Sequence, residues 1–179
     1  MTFLYRLTII TAVAAAIALA STSGRRPRRL STADVQVTSG VAVWLAVVAG
    51  ALIVVGFVSH TVLRHIVQIA PIVGGIGLLF TRSTLGACAA AALFAFWFLL
   101  MAAIWLFLLG IARIFSGTYT TAEVALTIVI GAASLLGLHA AYRQGATTDL
   151  LGRVVTIVGF CVLQMAAMVL SFQPFISAR

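Results

Sequence analysis

Lysine is absent from this chain, and carboxylates nearly so. The eleven basic residues are all Arg, set against three acidic ones, Asp34, Glu123 and Asp149. Without lysine no retinal-type Schiff base can form, because that bond needs a lysine amine. Three scattered carboxylates leave little material for paired-carboxylate catalysis or for an acidic proton relay across a bilayer. The two cysteines, Cys88 and Cys161, sit inside apolar runs with no CxxC or metal-type spacing. Each reads as a small buried hydrophobe. No nucleophile elbow, P-loop, dinucleotide fingerprint or HExxH motif occurs. The balance leans away from an enzyme, and no cofactor or metal site is assigned.

What fills the chain instead is apolar sequence. Hydrophobic residues make up 63% of it, and charged residues only 8%. Residues 85–112 run for 28 positions without a carboxylate, Arg or His. Stretches beyond about 18 apolar residues read as membrane-spanning helices. The fold expected is an all-α, polytopic membrane helical bundle with about six transmembrane helices. The formal charge of +8 fits the positive-inside rule and anionic lipid headgroups better than nucleic acid. No basic surface with interleaved aromatics lies outside the apolar runs. Arg in place of Lys fits a high-GC bacterial genome, which places the chain in a bacterial cytoplasmic (inner) membrane.

The chain divides into a first apolar helix at 1–20, a basic connector at 21–39 and a membrane bundle at 40–179. The first run ends Ala18-Leu19-Ala20-Ser21, which resembles a signal-peptidase site. Against cleavage stand Arg25, Arg26, Arg28 and Arg29 directly downstream, a cluster that resists translocation and prefers the cytoplasm. An uncleaved first helix is expected, and a cleaved one would leave five. The sequence from Ser31 to Asp34 resembles a capping box, so a helix starts near Thr32 and continues into the second span. Ala42, Ala46 and Gly50 recur every four positions there and make a smooth packing stripe.

Residues 66–81 form the difficult segment. It is short, contains Pro71, and carries Gly74, Gly75 and Gly77, so a break or re-entrant turn is expected there. The fourth span, about 83–111, is small-residue-rich in its first half and aromatic in its second. Its aromatic half, with Phe94, Phe96, Trp97, Phe98, Trp105 and Phe107, is expected to face lipid. The fifth opens on the capping box Thr120-Thr-Ala-Glu123 and contains the small pair Ala133 and Gly137. The sixth follows Thr147, Thr148 and Asp149, which are helix-start residues.

If all six cross, seven arginines fall on one side (Arg25, Arg26, Arg28, Arg29, Arg82, Arg143, Arg153) and four on the other (Arg6, Arg64, Arg113, Arg179). The richer side, including the connector, is then cytoplasmic.

The constellation that could carry chemistry is His60, Arg64, His65 and Gln68, beside Pro71, with Glu123 reaching the same side. On one continuous helix His60, Arg64 and Gln68 share a face. Polar residues near membrane depth are costly and often functional, although an ordinary interfacial loop holds the same residue types. Haem between His60 and His139 requires both at the same face of the membrane, which six crossings forbid. Three function classes follow, in this order. The first is a non-catalytic membrane subunit or scaffold, whose partners are the lipid bilayer, other membrane subunits or a homo-oligomer. The second is a small transporter or channel using the His60/Arg64/Gln68 cluster. The third is a haem- or metal-binding redox protein.

Overall fold

A computed structural model describes residues 3–23, 32–81, 85–112, 117–144 and 148–177. Arg25, Arg26, Arg28 and Arg29, together with Ser31, Arg82, Arg113, Thr147 and Arg179, lie outside the described residues. Among the described residues there are seven helices: α1 (Phe3–Thr22), α2 (Thr32–Val58), α3 (Val62–Phe80), α4 (Gly86–Leu108), α5 (Thr121–Gln144), α6 (Leu150–Ser171) and the short α7 (Pro174–Ser177). The first six are long and apolar enough to span a membrane.

The architecture is five helices around one. Helix α4 touches α1, α2, α3, α5 and α6, and those five form a ring in the order α1, α6, α3, α2, α5. Every residue from Gly86 to Trp97 is buried. Ala occupies most of the first half of α4, and side chains that small let five neighbouring backbones approach closely. The surrounding helices each bury one stripe. Leu7, Thr11, Ala14, Ala18 and Thr22 line the inner face of α1. Ile157, Cys161, Gln164, Met168 and Ser171 do the same for α6. The outer faces carry Val43, Phe57, Val73, Leu135 and Val155, all exposed. That outward apolar belt suits lipid and is ill suited to water.

The aromatic half of α4 is therefore not a lipid face. Phe94 and Phe96 are 0% exposed and Trp97 is 2% exposed. Nor does α4 continue to residue 111. It ends in a Schellman motif: Gly110 (φ 72) donates to the Phe107 carbonyl at 3.0 Å, and Ile111 to that of Leu106 at 2.9 Å. Its 23 residues rise about 34 Å, close to the ~30 Å hydrocarbon thickness.

Helix α3 runs unbroken through Pro71 for 19 residues, about 28 Å. The expected break does not occur. Pro71 removes only the bond to the Val67 carbonyl, and the Gln164 side chain of α6 donates to the next carbonyl, that of Gln68, at 3.1 Å. Gly75 serves packing, since a Cβ there would come within 2.7 Å of Leu93 Cδ1. Gly74 and Gly77 are exposed.

Small residues on α5 do pack. Ala133 is buried, and Cβ atoms on Gly131 and Gly137 would run into the Trp105 and Phe94 rings. On α2 the stripe divides, with Ala42 buried. Ala46 and Gly50 are exposed, and nothing lies within 4 Å of a Cβ built on Gly50, so neither packs within this chain. At the end of the bundle opposite the cavity described below, Arg153 of α6 donates from Nη1 to the Thr22 carbonyl at 3.1 Å. A cation at a helix C-terminus satisfies an orphan carbonyl and the dipole together. It ties α1 into the ring.

Candidate functional site

The first local fact at the site is a turn. Helix α2 closes in a second Schellman motif, with His60 donating to the Phe57 carbonyl at 3.3 Å and Thr61 to that of Gly56 at 2.8 Å. His60 takes the left-handed position at φ 55, where glycine is usual and an L-residue costs about 1–2 kcal/mol. His60 is exposed and belongs to neither helix. The expected shared face of His60, Arg64 and Gln68 is thus wrong for His60, because the helix is interrupted between them. Arg64, His65 and Gln68 lie on α3, and α3 folds back tightly because Gly56 leaves room: a Cβ there would meet Val62 Cα at 3.0 Å.

These three residues line a cavity of about 380 Å³, together with Glu123. The wall draws on alternating helix ends: Phe3 from the start of α1, Val55 from the end of α2, Arg64 from the start of α3, Ile104 from the end of α4, Glu123 from the start of α5 and Phe172 just past α6. Successive helices therefore run in opposite directions, as six crossings require. His139 stands near the far end of α5, away from the His60 turn, so the two cannot hold one haem. Among the described residues no three His, Cys, Asp or Glu side chains are grouped as metal ligands.

Polar groups from α3 and from α5 with the loop before it share the cavity with an apolar wall. The Arg64 guanidinium stacks over the Phe172 ring at 3.5 Å, a cation–π contact, and Phe172 is braced by Phe3 at 4.9 Å. Among the described residues no carboxylate lies within 4.0 Å of Arg64 and no acceptor takes its N–H groups. Glu123, which the sequence places on the same side as Arg64, does not touch it. Glu123 is instead held by its capping box: Oε2 accepts from the Thr120 backbone N–H at 2.8 Å and from the Thr120 hydroxyl at 2.9 Å.

His65 is oriented by a short relay. Its Nδ1 lies 3.0 Å from the Thr61 carbonyl, which can only accept, so Nδ1 carries a proton. The same N–H approaches Thr61 Oγ1 at 3.2 Å. The Thr61 hydroxyl donates to Ser59 Oγ at 2.6 Å, and Ser59 donates to the Val55 carbonyl at 2.7 Å. In the neutral ring Nε2 is left as an acceptor. Gln68 is buried and donates to Ser171 Oγ at 2.9 Å, which ties α3 to α6. Tyr119, in the loop between α4 and α5, packs on Phe107. Burial first, and the Glu123 carboxylate second, push its phenol above the ordinary 10.0, while Arg64 acts the other way. The phenol stays a neutral donor.

No protein-family model, curated protein or solved structure matches this chain. The reading of the site rests on its own geometry.

Of the residues singled out in the sequence, Arg64, His65, Gln68 and Glu123 line this cavity and His60 does not. Sequence reasoning missed Tyr119, Trp97, Phe172 and the apolar wall of Leu52, Leu100, Met101, Ile130 and Met168. Trp97 had been placed toward lipid. Its indole N–H is buried with no hydrogen-bond partner, a placement that costs about 1–3 kcal/mol. The other two tryptophans offer a contrast in one case: Trp105 donates from Nε1 to Thr127 Oγ1 at 3.0 Å.

Proposed function

We propose that this chain is a multi-pass membrane protein of the small transporter or receptor kind, which binds a small amphiphile in the cavity at one end of its bundle. The observation that carries this reading is the convergence of all six helix ends on one void of about 380 Å³. That volume lies in the ~300–1,000 Å³ range of small-molecule sites. A non-catalytic scaffold has no use for such a void, nor for a cation left unpaired beside it. Arg64, His65, Tyr119 and Glu123 orient the polar end of the ligand, and the apolar wall takes its body.

Trp97 provides the readout. In a chain carrying Trp44→Phe and Trp105→Phe, an amphiphile with a brominated chain is expected to quench the remaining fluorescence saturably. Val55→Trp, read with a radiolabelled ligand because it adds a second indole, is expected to plug the wall and abolish binding. Quenching that rises linearly with concentration, as partition into lipid gives, would count against a pocket.

The orientation follows from the arginines. The cavity end carries the poorer set, so it faces away from the cytoplasm of a bacterial inner membrane. Thr118→Cys, in a chain lacking Cys88 and Cys161, is then labelled by an impermeant thiol reagent added outside intact cells. Labelling only after the cells are opened would reverse the orientation.

A further inference from the structure

Two opposite charges share this cavity without meeting. Arg64 enters from α3 and Glu123 from α5, and those two helices make no contact with each other. Each charge is pinned by a partner of its own. Stacking on Phe172 holds the flat face of the guanidinium, which leaves its N–H edge for another acceptor. The capping box holds Glu123 through Oε2, so the carboxylate cannot swing across to Arg64 without releasing Thr120 at the helix start. The second oxygen, Oε1, has no hydrogen-bond partner among the described residues. Tyr119 feels both fields, raised by Glu123 and lowered by Arg64, so the two charges act on one small region.

A simple anion placed there would gain from Arg64 and lose to Glu123. A simple cation would meet the reverse. Only a ligand carrying both signs satisfies both groups at once, and like-charge juxtaposition is costly. We infer that the ligand is a zwitterion with an apolar body: its acid group lies against Arg64 and its ammonium group toward Glu123, with the hydrocarbon against Leu100, Met101 and Ile130. This rests on the reading of the cavity as a binding site, and it narrows that reading to a substrate class. A free apolar α-amino acid and the headgroup of a zwitterionic phospholipid share this chemistry.

The test is a matched series on the full chain in nanodiscs of uncharged lipid lacking ammonium groups. Phenylalanine carries both charges, 3-phenylpropionate only the negative one and 2-phenylethylamine only the positive one. Lysophosphatidylethanolamine against lysophosphatidic acid gives the lipid arm. The zwitterion is expected to bind at least tenfold more tightly than its singly charged counterparts in one arm, and the arm that responds identifies the source. Glu123→Gln keeps the capping box, because the Gln carbonyl accepts the same bonds. That variant is expected to lose the preference over the anion, and Arg64→Gln the preference over the cation. If the singly charged anion binds the native chain as tightly as the zwitterion, the zwitterion assignment is overturned while the binding site stands. If no member of either arm binds, or if Val55→Trp leaves binding intact, the cavity reading fails with it.

Discussion

Gly137→Leu is expected to abolish the folded monomer, whereas Gly50→Leu leaves its stability unchanged. The two glycines look alike in sequence, each inside an apolar helix. Their surroundings differ. A Cβ on Gly137 would enter the ring of Phe94, and Phe94 is 0% exposed at the centre of the bundle. It cannot rotate away, because α4 is enclosed by five helices. Overpacking a core costs about 1–3 kcal/mol for small additions, and helix propensity returns at most about 1 kcal/mol on replacing Gly by Ala. Gly137→Ala is therefore expected to lower the melting temperature, and Leu to prevent assembly. Phe94→Leu should restore much of the loss in Gly137→Ala, since the two residues share one space and their effects do not add. A Cβ on Gly50 meets nothing within 4 Å, so its Leu projects outward from the bundle. Thermal unfolding followed by gel filtration in mild detergent reads both variants. A Gly137→Leu protein that melts with the native one would remove the close approach of α4 and α5 from this account.

The contrast explains which features were legible in the sequence. Six helices long and apolar enough to cross a membrane were legible, because the cost of exposing polar backbone to lipid imposes a minimum apolar length on a span. The start of α5 was legible because a capping box is local: Thr120 and Glu123 satisfy each other across one turn. The central place of α4 was not legible. Lipid tails are as apolar as leucine, so a lipid-facing aromatic and a buried one obey the same composition rule. Phe94 and Trp97 therefore read the same as the partly exposed Phe107. The stripe on α2 misled for the same reason, as small residues permit packing without requiring it. His60 was misplaced because spacing by four assumes a continuous helix, and the only cue to the turn was the polar run Ser59-His60-Thr61. The cavity residues on α3 and α5 were found because charge at membrane depth stands out against apolar sequence. Tyr119 and Phe172 escaped notice because aromatics at helix ends are ordinary features of the membrane interface.

Arg64→Met is expected to make the empty protein more stable and unable to bind its ligand. A half-buried guanidinium with no carboxylate within 4.0 Å and no hydrogen-bond acceptor among the described residues has lost hydration without full compensation. Stacking on Phe172 returns about 0.5–2 kcal/mol, depending on how far the pair is desolvated. Met fills much of the same length, keeps an aromatic contact through its sulfur and carries no charge to desolvate. A residue retained only for packing would not behave this way, since its replacement lowers stability. A residue held in strain for a ligand does, because the ligand supplies what the fold withholds. Removing one member of a desolvated, hydrogen-bonded charge pair costs about 2–5 kcal/mol of binding, a loss of affinity of about 30-fold or more. The expected pattern is a higher melting temperature without ligand, and no further rise when phenylalanine or lysophosphatidylethanolamine is added at a concentration that stabilises the native chain. A lower melting temperature without ligand would make Arg64 a structural cation whose role is to clamp Phe172 and the end of α6. The two results differ in sign, so one pair of melting curves decides between a binding group and a brace.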